Sequence, residues 1–220
     1  MAYQKAFQFG KTSEGLSIPA YKFGSSGPEI LIVGGVHGDE IEGIVGANGL
    51  LQKFSQDFPF KLNLTLVPIF NLDGALRKQR RNARGVDLNR NLPTQDWTSE
   101  VAEEKYHPGS EANSEPENQA LVNYLQNHQP KFIFSLHSWK PMLNINGDCE
   151  KVAKIISERT GYIITDDIGY PTPGSLGTYS GLERQIPTIT YEFNRGMAAS
   201  DILKTHVPAI LEGIKVLESL

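Results

Sequence analysis

Residues 29–40, EILIVGGVHGDE, decide how the rest of the chain is read. Glu29–Val36 is rich in β-branched residues without a helical period, as in a strand covered on both faces. Gly34 and Gly35 loosen the backbone where the strand ends. His37 and Glu40 follow at i, i+3, just before an apolar helical run that extends to about Phe54. That spacing places an imidazole and a carboxylate on one side of a tight turn. Zinc takes both kinds of donor at about 2.0–2.2 Å. The pair alone is equally compatible with a loop-capping histidine and a first-turn acid favoured by the helix dipole.

Outward from this stretch, β and α patterns alternate. Phe7–Gly10 and Ser17–Phe23 read as a hairpin of edge strands. Lys61–Phe70 is a second apolar strand, with Pro68 marking an edge or an exit. Residues 71–91 and 93–113 read as long polar loop, a length that signals a functional loop or disorder. Ser114, Pro116 and Glu117 suggest a capping box that opens a helix running to about His128. Phe132–Leu136 is a third central strand and ends in His137. Lys151–Thr160 reads as a helix closed by Gly161, then Tyr162–Thr165 as a short strand. Tyr170–Gly177 is a Pro/Gly-rich loop, Pro187–Phe193 a strand carrying Glu192, and Ala199–Leu220 an amphipathic closing helix. The expected fold is α/β: one domain over residues 1–220, a mixed, largely parallel twisted sheet of about eight strands, and helices on both faces.

The composition is that of an ordinary globular chain of 220 residues, with 39% hydrophobic and 21% charged residues. A net charge of −4 argues against a nucleic-acid or anionic-membrane surface. Cys149 is the one cysteine, so no intrachain disulfide is possible, which fits a reducing, cytoplasmic setting. The N-terminal residues do not follow the pattern of a signal peptide, and no run is long and apolar enough to span a membrane. The oligomeric state is not readable from the sequence.

In open α/β sheets, sites form at the carboxyl ends of strands. His37, His137 and Glu192 all fall there. His137 taken alone reads as a structural hydrogen bonder. With His37 and Glu40 it completes a His2Glu set, which leaves a fourth zinc position for solvent and so describes a catalytic site. Glu192 lies among apolar residues in ITYEF, where a carboxylate needs a partner or a task. It is a strand-end salt bridge or a proton carrier for an activated water. The run from Asn71 to Asn91 (NLDGALRKQRRNARGVDLNRN) interleaves arginines with Asn82, Asp87, Asn89 and Asn91. An arginine fork beside an asparagine suits a substrate carboxylate. Another arginine of the run can hold a developing oxyanion. Asp87 can accept from the outer nitrogen of a metal-bound histidine.

In chain order, HGDE, NLDG, GVDLNRN, YHPGSEANSEPE, LHS and YE resemble the zinc carboxypeptidases. The likeness covers most of the chain, and the six pieces together are specific where HxxE alone is weak. It implies one zinc ion per chain on His37, Glu40 and His137, with Glu192 as general base. It also implies Asn89 and Arg90 as a clamp for the terminal carboxylate and Arg80 as the carbonyl-polarising arginine, with Arg77, Arg81 and Arg84 as competitors for that role. Tyr170 resembles the mobile tyrosine that covers the substrate. The short chain and the YPTPGS loop resemble the bacterial murein peptide amidase branch, whose substrate bond is γ-D-glutamyl–diaminopimelate. The implied partner is a small peptide with a free carboxylate. Side chains between His137 and Glu192 are expected to line the specificity pocket. The alternative is an N-acyl amino acid deacylase of the aspartoacylase or succinylglutamate desuccinylase type, which shares the HxxE, DLNR and His pattern. A zinc-dependent peptide-binding module and a basic RNA-binding loop are weaker readings.

Overall fold

The apolar runs identified in the sequence assemble into one eight-stranded mixed sheet. The computed structural model describes residues 4–220. The strands are β1 (Gln4–Lys11), β2 (Ser17–Phe23), β3 (Glu29–Gly34), β4 (Asn63–Val67), β5 (Phe132–Trp139), β6 (Met142–Asn146), β7 (Ile163–Thr165) and β8 (Thr188–Asn194). Their spatial order is β1-β2-β4-β3-β5-β8-β6-β7. The central run β4-β3-β5-β8 is parallel, while β1-β2, β2-β4 and β6-β8 are antiparallel. Helices cover both faces of this single domain. On one face α1 (Ile41–Gln56), α4 (Glu150–Thr160) and α5 (Val207–Val216) pack on Ile30, Ile32, Phe132, Phe134 and Tyr191. On the other, α3 (Pro116–His128) packs on Leu31, Val33 and Ile133. Both faces of β3 and β5 are thus dry, which is why they read as continuous apolar runs.

Several elements depart from the sequence reading, each for a local reason. The polar stretch 71–91 is not all loop. It holds α2 (Leu72–Arg77), started by the Asn71 side chain accepting from Gly74 N at 3.0 Å, and a single turn at Leu88–Arg90 started by Asp87. Six residues are too few to show an apolar period. The expected capping box does not form. The N-cap of α3 is Glu115 without a side-chain cap, Ser114 Oγ donates to Glu115 Oε1, and Glu117 instead accepts from Ser13 N at 2.9 Å. Strand β4 is internal, so Pro68 marks its exit and not an edge. Of the amino-terminal hairpin, only β1 is an edge strand. Strand β6 and a wide helical turn at Gly177–Leu182 were not anticipated. The closing helix is interrupted by a wide turn at Ile202–His206, just before Pro208. Proline has no N–H to continue the ladder, so the backbone widens there.

Candidate active site

Three adjacent parallel strands deliver the chemistry. His37 and Glu40 follow β3, His137 lies near the end of β5, and Glu192 lies in β8, directly opposite His137 in the register. Adjacent strands are about 4.8 Å apart, so this pairing alone makes the imidazole and the carboxylate neighbours. Donor atoms of His37, Glu40 and His137 all lie within 4.8 Å of one another, and all three residues are buried.

The tautomer of His37 follows from its outer contact. His37 Nε2 is 2.9 Å from Asp87 Oδ1, and His137 Nε2 is 2.9 Å from Ser135 Oγ. The ionised Asp87 carboxylate only accepts, so it requires a proton on His37 Nε2. Both Nδ1 atoms face inward, 3.1 Å from each other and 2.8 and 2.9 Å from the two oxygens of Glu40. A neutral His37 would then aim the Nδ1 lone pair at a carboxylate. The arrangement calls for a cation or a proton between them, and the donor set is one that zinc accepts. Ser138 N also donates to Glu40 Oε2, which leaves that carboxylate little freedom.

Charge among these groups is strongly perturbed. Burial raises the Glu40 carboxyl, but His37 and His137 outweigh it and hold Glu40 well below its ordinary range. Asp87 is likewise held down by His37 and Arg80 against its burial. Burial and Arg80 lower His37, yet Glu40 and Asp87 leave it raised, while burial keeps His137 lowered despite Glu40. Glu192 goes the opposite way from Glu40. Burial and the Glu40 charge push it up to about 8. Its Oε2 is buried and finds no partner among the described residues. One carboxylate locked in its ionised form beside another able to carry a proton is the division of labour acid–base catalysis needs.

These groups line a cavity of about 380 Å³, together with Asn89, Arg90, Arg80 and Tyr170. Asp87 Oδ1 accepts from Asn89 N, and Leu176 N donates to Asn89 Oδ1, which leaves the Asn89 amino group toward the cavity. Arg90 is buried beside it, with Nη1 on the Asn89 carbonyl at 2.6 Å. Arg80 is the one arginine of the 77–84 run on the cavity wall. Its Nε and Nη2 hold Asp87 Oδ2 at 3.0 and 2.9 Å, and Nη1 lies 3.3 Å from Glu40. Arg77, Arg81 and Arg84 instead pair with Glu14, Glu104 and Glu115. Tyr170 sits at the mouth between the Tyr106 and Trp139 rings, with Arg90 5.9 Å from its centroid.

The chain has clear relatives among known proteins. The family model described as zinc carboxypeptidase matches residues 3–204. The chain belongs to the zinc carboxypeptidase family. As a member it is a metallo-hydrolase. It is 32% identical over 193 residues to murein peptide amidase A of Vibrio campbellii, covering 82% of this chain and 75% of that one. It is 31% identical over 175 residues to murein peptide amidase A of Escherichia coli K12, covering 74% and 70%. The crystal structure of a murein-tripeptide amidase from Escherichia coli O157 superposes with a TM-score of 0.75 at 24% identity, over 97% of this chain and 91% of that chain. The zinc carboxypeptidase fold is thus present over nearly the full chain.

Some cavity residues had no signal strong enough to read from the sequence. Asp39 and Arg195 form an ion pair of 2.8 Å at the rim, though they lie 156 residues apart. Tyr106 stacks under Arg80 and Arg90, its centroid 5.4 and 5.2 Å from their guanidinium carbons. Asn144 and Asn146 line the cavity from β6, and their alternation in MLNIN was the available clue. No helix is long and apolar enough to cross a membrane among the described residues.

Proposed function

We propose that this chain is a zinc amidase or carboxypeptidase that hydrolyses the amide bond next to a substrate's terminal carboxylate, in murein tripeptide the γ-D-glutamyl–diaminopimelate bond. The observation that carries this reading is the inward turn of both Nδ1 atoms onto Glu40, 2.8–3.1 Å apart, beside a buried carboxyl of unused hydrogen-bonding capacity at Glu192. Its support for the murein bond is the likeness to the amidases of Vibrio campbellii and Escherichia coli. One zinc ion per chain would be held by His37, Glu40 and His137, supplying Lewis acidity toward water and the amide carbonyl.

The side chains do the rest. Asn89 and Arg90 bind the substrate's carboxylate and fix which amide faces Glu192. Glu192 takes one proton from the attacking water as its oxygen bonds to the carbonyl carbon. Arg80 donates toward the oxygen that gains negative charge. Glu192 then passes the proton to the nitrogen as the C–N bond breaks, yielding a carboxylic acid and a free amine. Tyr170 closes the cavity over the bound peptide. The setting of the reaction is cytoplasmic in this reading.

The test is to incubate the zinc-loaded protein with murein tripeptide and, separately, with N-succinylglutamate, and to identify products by mass spectrometry. Release of diaminopimelate, abolished by chelation and restored by zinc, is the expected result. Release of succinate with an intact tripeptide would replace this reading with that of a deacylase.

A further inference from the structure

Arg90 is buried in the cavity wall, 4% exposed, with no carboxylate at ion-pair distance among the described residues. Its protein acceptor is the carbonyl of the neighbouring Asn89, 2.6 Å from Nη1. The other two cations on this wall are paired, Arg80 with Asp87 and Lys105 with Glu103. Arg90 is the one whose burial an ion pair does not offset, and an uncompensated buried charge is costly.

The group that all three cations share is the Tyr106 ring. The Arg80 and Arg90 guanidinium carbons lie 5.4 and 5.2 Å from its centroid, and Lys105 Nζ lies 4.8 Å from it. Each is within the span of about 6 Å over which a ring face attracts a cation. Tyr170 adds a second ring, 5.9 Å from the Arg90 guanidinium and 6.1 Å from the Tyr106 ring.

Tyr106 is itself fixed through the backbone. It ends the single turn Glu104–Tyr106, and its N–H donates to Glu103 O at 3.0 Å. Arg81 Nη1 donates to Glu104 O at 3.0 Å, and Asp87 N donates to His107 O at 2.8 Å. Asp87 also holds the Arg80 guanidinium and His37. The ring is thus anchored to the residue that orients one of the arginines it supports.

A ring suits this position where an acid would not. A carboxylate would take up the N–H groups of Arg90 and cancel the charge that a substrate carboxylate has to meet. An aliphatic side chain would fill the space without attracting the cations. The negative face of a ring offsets the charge and occupies none of its hydrogen-bond donors. Apart from the contact of Nη1 with Asn89, the Arg90 fork stays available to a ligand. We propose that Tyr106 is a positioning residue whose ring face holds Arg90 charged and open for the substrate's terminal carboxylate and steadies Arg80 at the carbonyl. This inference rests on the function proposed above and adds to it the group that supports both arginines.

The experiment compares zinc-loaded wild type, Tyr106→Leu, the bulkier Tyr106→Met, Tyr106→Phe, Arg90→Lys and the double variant Tyr106→Leu/Arg90→Lys on murein tripeptide. The same peptide amidated at its C-terminus is run beside it, and zinc content and circular dichroism are recorded for each protein. Tyr106→Leu and Tyr106→Met should raise KM for the free-carboxylate peptide by about 3–30-fold, the range for a partly desolvated cation–π contact, with a smaller fall in kcat through Arg80. Tyr106→Phe, which keeps the ring, should recover most of that loss. The amidated peptide does not pair with Arg90, so its kcat/KM should change only by the smaller kcat factor. In the double variant the rise in KM should fall short of the product of the two single effects, because both changes remove one shared interaction. A wild-type KM in folded, zinc-replete Tyr106→Leu or Tyr106→Met overturns the inference and leaves the hydrolase reading standing. So does an equal loss on the amidated peptide, a Tyr106→Phe as impaired as Tyr106→Leu, or a fully multiplicative double variant. Zinc-loaded wild type that leaves the tripeptide intact overturns both.

Discussion

His137 and Glu192 face each other across β5 and β8 as paired residues of a parallel ladder, and both are buried. One ring nitrogen of His137 turns toward Glu40 while Glu192 keeps an unpartnered oxygen beside it. The register of two strands therefore places a buried carboxyl with an unpartnered oxygen next to the candidate metal ligands. Glu192→Gln preserves shape and removes the proposed base. The substituted protein should retain zinc stoichiometry by elemental analysis while turnover falls about 10²–10⁴-fold. Turnover near the wild-type rate would remove Glu192 from the mechanism.

The protonation of Glu192 is measurable directly. In the metal-free protein, burial and the Glu40 charge raise it to about 8 from an ordinary 4.5. A raised carboxyl means the folded state holds a proton that the unfolded chain releases. Its contribution to stability is present below pH 4.5 and is lost as pH rises toward 8. Denaturant unfolding of the metal-free protein across that window should show a decline that Glu192→Gln lacks. Zinc brings positive charge to the neighbouring ligands, so carbon-detected NMR should find Glu192 titrating lower in the zinc-loaded form.

Asp87 touches three parts of the site: His37 Nε2, the Asn89 backbone N–H and the Arg80 guanidinium. Asp87→Asn keeps the size but weakens the acceptor that fixes the His37 tautomer. Zinc affinity, measured by competition with a chromogenic chelator, should fall about 10–100-fold. Unchanged affinity would show that the tautomer is set by other contacts.

Arg90 and Asn89 are proposed to hold the terminal carboxylate. Arg90→Lys keeps the charge but loses the planar fork. The change should raise KM for peptides with a free carboxylate by roughly 10-fold or more, the equivalent of one charge-assisted contact. Peptides amidated at the C-terminus should be poor substrates for both proteins. A carboxylate-independent KM in the wild type would contradict the clamp.

Gly38, between His37 and Asp39, is packed against α2. A Cβ there would lie 2.1 Å from the Gly74 carbonyl carbon and 2.6 Å from the Gln79 carbonyl oxygen. Both are backbone atoms that cannot rotate away. Gly38→Ala should destabilise the protein by about 1–3 kcal/mol in denaturant titrations, as overpacking does. It should also weaken zinc binding by displacing His37.

Strands β3 and β5 were legible because burial on both faces demands near-continuous apolar runs, and β8 because β-branched and aromatic residues fill it. HGDE, LHS and YE mark the strand ends where the side chains at the site emerge. Short or context-dependent elements were not legible. α2 depends on one asparagine cap, β6 is five residues long, and the α3 cap changed because Glu117 is engaged by Ser13, 104 residues away. Among four arginines of similar surroundings in sequence, only packing against Asp87 and Glu40 distinguishes Arg80.

The sequence by itself determined the alternation of elements, the family motifs and the candidate metal ligands and buried glutamate, because hydrophobic period and residue chemistry are local properties. Tertiary structure decided which nitrogen each histidine turns inward, which arginine reaches the cavity and which amides line it. Those outcomes depend on strand register and on contacts between residues as much as 156 positions apart, such as Asp39 and Arg195, and no local pattern encodes them.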